Sequence, residues 1–139
     1  MSGLTASIGD AQYISLMTYR KDGTGVATPV WVADRGNFLF AWTQADSGKA
    51  KRIARDPVVQ IAVCTASGKL KSGYVPATAR LLDGGGEKMV RELMLNKYGW
   101  KLKFLIWQQK VRGKNIEHIG IQITIGGDLT RPQDSPVFD

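Results

Sequence analysis

Short runs of strand-forming residues, separated by glycine-containing turns, set the strongest constraint on how this chain folds. Residues 13–19, 25–33 and 38–42 are rich in β-branched and aromatic side chains, which favour strands. Residues 21–24 (KDGT) and 34–37 (DRGN) lie between these runs. Asp-Gly and Gly-Asn pairs between apolar runs are strong local signals for hairpins. The first third of the chain is therefore predicted to form an antiparallel meander.

Three further strands are predicted in the rest of the chain. They span residues 58–64, 71–82 and 119–125, and the last alternates four Ile with Gly, Gln and Thr. Pro76 lies within the second of these strands. Because proline cannot donate to a sheet ladder, Pro76 predicts an edge strand or a bulge.

Helices are predicted between these strands. The first spans residues 47–55, with Asp46 or Ser47 as its N-cap and an Asp-Pro pair at its end. Three consecutive glycines at 84–86 are expected to break the chain before a second helix at about 87–98. About six antiparallel strands with inserted helices predict a mostly β fold, a small closed or split β-barrel that hides its sheet edges.

The length of the chain limits its organisation. At 139 residues it has room for one core, so we predict a single domain at 1–125 and an extended polar tail at 126–139. No apolar run approaches the roughly 18 residues of a membrane span, and the N-terminus does not resemble a secretory signal. With the lone Cys64, these features favour a cytoplasmic location.

The net charge of +7 is concentrated in two segments. Residues 49–55 carry four basic groups and residues 97–114 carry six, and neither segment contains an acidic residue. Such clusters predict anionic partners at specific places, although solvated helix faces are the simpler explanation.

The segment 99–114 has apolar residues on two opposite faces of a predicted helix. One face carries Trp100, Phe104, Trp107 and Val111, and the other carries Leu102, Leu105 and Ile106. One face would pack on the barrel. The other predicts a partner subunit first, with peripheral membrane contact or a bound ligand as alternatives.

The side chains offer little for catalysis by themselves. The chain has a single histidine, His118, which excludes clusters of histidine metal ligands. A lone histidine at the start of a strand and a cysteine within an apolar strand, as Cys64 is, are more often structural than functional. No catalytic residue and no metal site is predicted. An enzyme of this composition would depend on a redox cofactor that the protein binds and orients.

The run from Thr43 to Arg55 is the best candidate for binding a cofactor phosphate. Thr43 and Ser47 offer hydroxyls, Gly48 permits close backbone approach, and Lys49 stands at a helix N-terminus. Residues 51–52 (Lys-Arg) extend the positive charge.

These residues, in order, resemble the pyridoxamine-phosphate-oxidase-like split β-barrel flavoproteins. The resemblance covers about residues 12–82, roughly half of the chain, and rests on five short motifs. Within this family, the chain most resembles the branch of small coenzyme F420-dependent oxidoreductases. The motifs are Asp22-Gly23, residues 28–31 (TPVW), Trp42-Thr43, residues 46–49 (DSGK) and residues 55–57 (RDP).

The resemblance implies an FMN-binding split-barrel fold, a homodimer with cofactor sites at the interface, and hydride transfer between a reduced deazaflavin and a small unsaturated or quinone-like acceptor. The flavin-using oxidases have an Arg-Lys pair where this chain has Gly48-Lys49, which favours coenzyme F420 over FMN. The residues carried over as cofactor-binding are Thr28, Pro29, Val30, Trp31, Trp42, Thr43, Ser47, Gly48, Lys49, Lys51 and Arg52.

Three alternatives stay open. The first is an FMN-dependent oxidase or reductase, and the second is a protein that carries a cofactor without catalysis. The third, a barrel that binds single-stranded nucleic acid, is disfavoured because the charge clusters on helices and not among the strand aromatics.

Overall fold

The computed structural model describes residues 2–111 and 117–126. Within these ranges the chain forms a mostly β fold with inserted helices, as predicted. The elements are α1 (Ser2–Gly9), β1 (Tyr13–Tyr19), β2 (Gly25–Trp31), β3 (Ala33–Arg35), β4 (Phe38–Gln44), α2 (Gly48–Arg55), β5 (Val58–Cys64), β6 (Val75–Leu82), α3 (Gly84–Tyr98), α4 (Trp100–Val111) and β7 (His118–Ile125).

All strands belong to one antiparallel sheet in the order β2-β1-β5-β6-β7-β4-β3. The two terminal strands of this order, β2 and β3, are consecutive in the chain and are joined by Val32 alone. Val32 is fully buried, and its backbone N–H donates to the carbonyl oxygen of Gln12 at 3.3 Å. The sheet therefore curls until its first and last strands meet, which gives the predicted barrel with a split.

The predicted meander is wrong in its middle connection. β1 pairs with β2, and β3 pairs with β4, but β2 and β3 lie at opposite ends of the sheet order. The expected strand 25–33 divides at Val32, which is why there are seven strands in the described residues and not about six. Asp34 and Arg35 pair with β4 instead of forming a turn, and Gly36, at φ 62°, forms the tight turn with Asn37.

The prediction that Pro76 marks an edge strand is also wrong. β6 starts at Val75 and not at residue 71, and it lies between β5 and β7. Pro76 accepts a hydrogen bond at its carbonyl oxygen from the backbone N–H of Gly126, one residue beyond the end of β7. In an antiparallel strand, the N–H and C=O of one residue point to the same neighbouring strand. The nitrogen of Pro76, which carries no hydrogen, therefore faces the place where the ladder between β6 and β7 ends.

The helices follow the predictions with two differences. α2 begins at Gly48, and its N-cap is Ser47, whose Oγ accepts a hydrogen bond from the Ala50 backbone N–H at 3.2 Å. The glycines at 84–86 form the first turn of α3 and do not break the chain before it. The N-terminal helix α1 has no counterpart in the sequence prediction.

The buried residues form two clusters on either side of the curled sheet. The larger cluster fills the barrel and includes Ile14, Leu16 and Ile121. The second cluster lies between the sheet and the helices α3 and α4, and α3 approaches β7 closely at Gly120. Its buried members are Ala33, Phe40, Val90, Met94, Tyr98 and Leu102.

No helix in the described ranges is long and apolar enough to cross a bilayer. The predicted tail begins at Gly126, and its remaining residues lie outside the described part of the chain. Residues 112–114 of the predicted aromatic helix lie outside it as well.

Candidate cofactor-binding site

A cavity of about 280 Å³ opens where the end of β2 faces β4, the start of α2 and the helices α3 and α4. Its wall combines apolar side chains with a few polar groups, which is typical of a small-molecule site. Six of the predicted cofactor-binding residues line this cavity: Pro29, Val30, Trp31, Trp42, Thr43 and Lys49.

The other five predicted residues do not line the cavity. Ser47 caps α2, Lys51 is exposed on that helix, and Gly48 lies under the Arg52 guanidinium. Arg52 turns toward β1, where its Nε donates to Thr18 Oγ1 at 2.6 Å. Thr28 has a buried Oγ1 for which the described residues offer no hydrogen-bond partner. A role for these five residues in binding stays a prediction.

Lys49 gives the cavity its positive charge. It lies in the first turn of α2, where unpaired backbone N–H groups also favour an anion. Burial lowers the pKa of Lys49 below its ordinary value, and the nearby positive charge of Arg52 lowers it further. An anion beside Lys49 would relieve both effects, so this end of the cavity is suited to a phosphate or carboxylate.

Trp31 forms one wall and is held by its aromatic neighbours. Its indole stacks on the Tyr98 ring with centroids 4.4 Å apart, and Tyr13 meets it edge-on at 6.4 Å. The Tyr98 hydroxyl donates to the carbonyl oxygen of Val32 at 2.6 Å and accepts from the Val32 N–H at 3.2 Å. Burial raises the pKa of Tyr98 to about 12, so the phenol stays protonated at neutral pH.

Trp42 forms a second wall. Its Nε1–H donates to Glu87 Oε2 at 2.7 Å, which ties β4 to the first turns of α3. The His118 ring lies flat on the Trp42 indole, with centroids 3.8 Å apart and planes 13° apart. Glu87 at the edge and His118 on one face therefore set the orientation of this indole.

Sequence reasoning missed five residues of the cavity wall. His118 reaches the wall because β7 pairs with β4, which places it opposite Gln44. Only the pairing of residues 38–44 with 118–125 could have revealed this, and a single sequence does not show which strands pair. The missed residues are Tyr13, Gln44, Met94, Leu102 and His118.

Cys64 has the surroundings of a structural residue. Cys64 is buried, and burial raises the pKa of its thiol, which disfavours the nucleophilic thiolate. No group of His, Cys, Asp or Glu among the described residues could hold a metal ion.

No protein-family model matches the sequence, and no curated protein matches it. Solved structures do match. A FAD-binding protein from Mesorhizobium loti is 22% identical, with 90% of this chain and 88% of that chain covered and a TM-score of 0.59. HutZ, the heme storage protein from Vibrio cholerae, is 11% identical, with 88% and 87% covered and a TM-score of 0.62. An F420 reductase is 16% identical, with 86% and 90% covered and a TM-score of 0.52.

The chain has the FMN-binding split-barrel fold. The fold expected from the sequence is thereby confirmed. The similar structures differ in their named cofactors, which are FAD, heme and F420. At these identities the likeness shows the split barrel itself and no particular cofactor.

Proposed function

We propose that this split barrel is an F420-dependent oxidoreductase that transfers hydride between the reduced deazaflavin and a small unsaturated or quinone-like acceptor. One observation carries the proposal: the half-buried Lys49 ammonium stands at the edge of a cavity walled by the indoles of Trp31 and Trp42. A flat apolar ring system attached to a phosphate matches this combination of aromatic walls and a single cation.

The residues present fit the cofactor in three respects. Trp31 and Trp42 are held in place by Tyr98 and Glu87, so the aromatic walls are formed before a ligand arrives. Lys49 has a pKa that burial lowers, and a phosphate nearby would restore it. The Gly48-Lys49 pair lacks the arginine of the flavin-using oxidases, which supports the deazaflavin over FMN.

The cofactor supplies the hydride when it is bound, and the protein supplies position and shielding. In this proposal Lys49 and the first turn of α2 bind the phosphate. Pro29 and Trp31 on β2 would hold the ring, and Met94 on α3 and Leu102 on α4 would exclude water from the cavity. Lys51 is exposed two residues after Lys49 and would meet the acidic tail of the coenzyme.

We further propose that the chain acts as a homodimer with the cofactor sites at its interface. At about 280 Å³ the cavity is at the small end for a ligand pocket, which suggests that a second subunit completes it. β2 is a terminal strand of the sheet, and its outward residues Gly25, Ala27 and Pro29 are exposed. A twofold interface along β2 would cover this face and enclose the cavity.

Titration of the purified protein with coenzyme F420 and, separately, with FMN tests the cofactor. Equilibrium dialysis gives the affinities, and the absorbance of the protein after gel filtration shows which cofactor is retained. We expect F420 to bind more tightly. Tight binding of FMN with no binding of F420 would overturn the assignment and favour the FMN-dependent alternative.

A second candidate is carriage of a cofactor without catalysis. The similarity to HutZ favours it, because that structure has a TM-score of 0.62 and is named a heme storage protein. Turnover separates the two candidates. Oxidation of bound, reduced F420 by any acceptor in a panel of quinones and enones supports the oxidoreductase, and stable binding without turnover supports the carrier.

A further inference from the structure

The helix α4 has one face in the core and one face in solvent. Leu102 points inward, is 1% exposed, and belongs to the buried cluster that also contains Met94 and Tyr98. On the other side, Trp100 is 73% exposed, Trp107 is 59% exposed and Phe104 is 51% exposed. Three large aromatic side chains on one face of a helix form an apolar patch of the kind that marks an interaction surface.

The outer face of α4 keeps its aromatic side chains together. The rings of Phe104 and Trp107 lie 5.9 Å apart with an interplanar angle of 29°. Trp100 lies on the same side of the helix, one turn before Phe104 and two turns before Trp107. Leu102 fixes the rotation of the helix against the barrel, so the aromatic face cannot turn inward without exposing a core residue.

Positive charge flanks this aromatic face on both sides. Lys101 and Lys103 are exposed, and the helical repeat places them on opposite flanks of the line from Trp100 to Trp107. The segment 97–114 carries six basic residues and no acidic residue. Lys97 belongs to α3, where its Nζ donates to the carbonyl oxygens of Ala11 and Val32, so Lys101 and Lys103 are the basic residues that the described part of the chain shows beside this face. The partner of this face therefore has to accept both indole rings and the positive charges on their two flanks.

We propose that the outer face of α4 docks on a membrane surface that contains anionic lipids. Indole rings favour the boundary between lipid headgroups and acyl chains, and Phe104 reaches the apolar side of this boundary. Lys101 and Lys103 then meet the lipid phosphates, with their alkyl stems over the aromatic rings. The helix lies in the plane of the surface and does not cross the bilayer.

A second copy of this chain is a poorer partner for the same face. A twofold interface places one patch against itself, so Lys101 and Lys103 of both copies would approach each other. The segment 97–114 contains no acidic residue to neutralise them. An anionic lipid surface supplies the missing negative charge.

Single-stranded nucleic acid is also a poorer partner. Proteins that bind it combine a positively charged groove with separate stacking platforms for successive bases. The aromatic residues of α4 lie on the convex outer face of one helix, and Phe104 and Trp107 already stack on each other. Docking on lipid requires only the outward face that α4 presents.

Docking has a consequence for the cavity, although the proposal does not depend on the cofactor. Leu102 lines the cavity from the inner face of the helix whose outer face carries Trp100 and Trp107. A single helix would thus separate the membrane surface from the cavity. An apolar small molecule that is dissolved in the lipid would be close to the site.

Sedimentation with vesicles tests the proposal on the full chain. One set of vesicles is phosphatidylcholine alone, and a second contains about one third phosphatidylglycerol. We expect the protein to sediment with the anionic vesicles and to bind phosphatidylcholine at least about tenfold more weakly. Added salt should weaken the binding, because surface charges are screened.

Two variants of α4 separate the contributions. Trp100→Ser, Phe104→Ser and Trp107→Ser together should abolish sedimentation, and Lys101→Gln with Lys103→Gln should weaken it roughly tenfold to 30-fold. Matched controls lie away from α4: Leu70→Ser removes another exposed apolar side chain, and Lys69→Gln with Lys71→Gln removes two exposed charges. The controls should bind as the parent does. Urea denaturation of each variant checks that the fold is intact.

Several results would overturn the proposal. It fails if the parent does not sediment with anionic vesicles, or if the α4 variants bind as well as the parent. A second possibility is that the parent does not bind vesicles and is a dimer in light scattering, whereas the triple α4 variant is a monomer. The face is then a subunit interface, and the proposal fails. Salt-sensitive binding of single-stranded DNA through the same residues, without vesicle binding, assigns the face to nucleic acid.

Discussion

The indole of Trp31 stacks on the phenol ring of Tyr98, with ring centroids 4.4 Å apart and planes 24° apart. The same phenol hydroxyl is hydrogen-bonded to both backbone groups of Val32, the single residue that joins β2 to β3. Tyr98 therefore supports a wall of the cavity and the corner of the barrel together. The side chain of one helix residue couples the candidate site to the closure of the sheet.

Tyr98→Phe should destabilise the protein by about 1–3 kcal/mol, because it removes the two hydrogen bonds that the hydroxyl makes with Val32, each worth about 0.5–1.5 kcal/mol. The Val32 N–H keeps the Gln12 carbonyl oxygen as a partner, and the Val32 carbonyl oxygen keeps Lys97 Nζ. The ring itself is retained, so the stacking on Trp31 persists. Urea denaturation at neutral pH measures the loss. Tyr74→Phe is a suitable control, because the Tyr74 hydroxyl contacts Ser15 in a partly buried position outside the cavity. An equal loss in both variants would argue against a special role for Tyr98.

The stability difference between the parent and Tyr98→Phe should shrink at high pH. The pKa of Tyr98 is about 12 in the folded protein, compared with about 10 for an unperturbed tyrosine. Between these values the unfolded chain loses the phenolic proton while the folded protein keeps it, so stability falls as pH rises. Urea denaturation of both proteins at about pH 9 and about pH 12 should show a decrease of roughly 2–3 kcal/mol in their difference. A constant difference would contradict the raised pKa.

Lys49→Gln should weaken cofactor binding about tenfold to 100-fold, the amount expected for loss of a charge-assisted hydrogen bond to phosphate. Stability should change little or increase, since the substitution removes a partly buried charge that Arg52 repels. Equilibrium dialysis against F420 measures the affinity. Lys49→Arg tests whether charge alone suffices, and Lys21→Gln, in the exposed β1–β2 turn, serves as the control. Unchanged affinity in Lys49→Gln would remove the residue from the site.

Trp42→Phe should destabilise the fold by about 1–3 kcal/mol, because the Glu87 carboxylate loses the hydrogen bond that Trp42 Nε1–H donates to its Oε2 at 2.7 Å. Glu87→Gln keeps an acceptor oxygen and should cost less. Chemical denaturation ranks the two variants. The chain contains a single histidine, so the imidazole signals in an NMR spectrum report on His118 alone. They should shift in Trp42→Phe, and unshifted signals would show that the stacked geometry does not persist in solution.

Gly120→Ala should destabilise the protein by about 1–3 kcal/mol, because a Cβ at this position would lie 2.8 Å from Val90 Cγ2. Gly85→Ala should have the opposite effect and stabilise the protein. Nothing lies within 4 Å of its added Cβ, and alanine is the better helix former, so a gain of about 0.5–1 kcal/mol is expected. Thermal denaturation compares both with the parent. A stable Gly120→Ala would mean that α3 does not pack closely on β7.

The features predicted well from the sequence are those that depend on residues close together in the chain. The Ser47 cap of α2 and the tight turn at Gly36 each need only a few neighbouring side chains. The sheet order could not be predicted, because β7 pairs with β4 across most of the chain. The prediction from Pro76 was wrong because a central strand can contain a proline where the hydrogen-bond ladder with its neighbour ends, and that neighbour, β7, is distant in sequence.

The same difference applies to the candidate site. Trp31 and Lys49 belong to local motifs that the resemblance covers, and both line the cavity. Met94 and His118 come from α3 and β7, and only the tertiary fold brings them to the same place. Arg52 shows the limit of motif reasoning in the other direction, because its guanidinium extends across α2 toward Thr18 and not into the cavity.

The position of β7 has a consequence for synthesis on the ribosome. β7 lies between β6 and β4, so the β3–β4 hairpin has no sheet partner until residues 118–125 have emerged. Until then one edge of β4 and one edge of β6 are open, and open edges invite pairing between nascent chains. The barrel can close only as a late event, after its last strand is translated. Chaperone contact during translation should therefore concentrate on the interval before β7 appears.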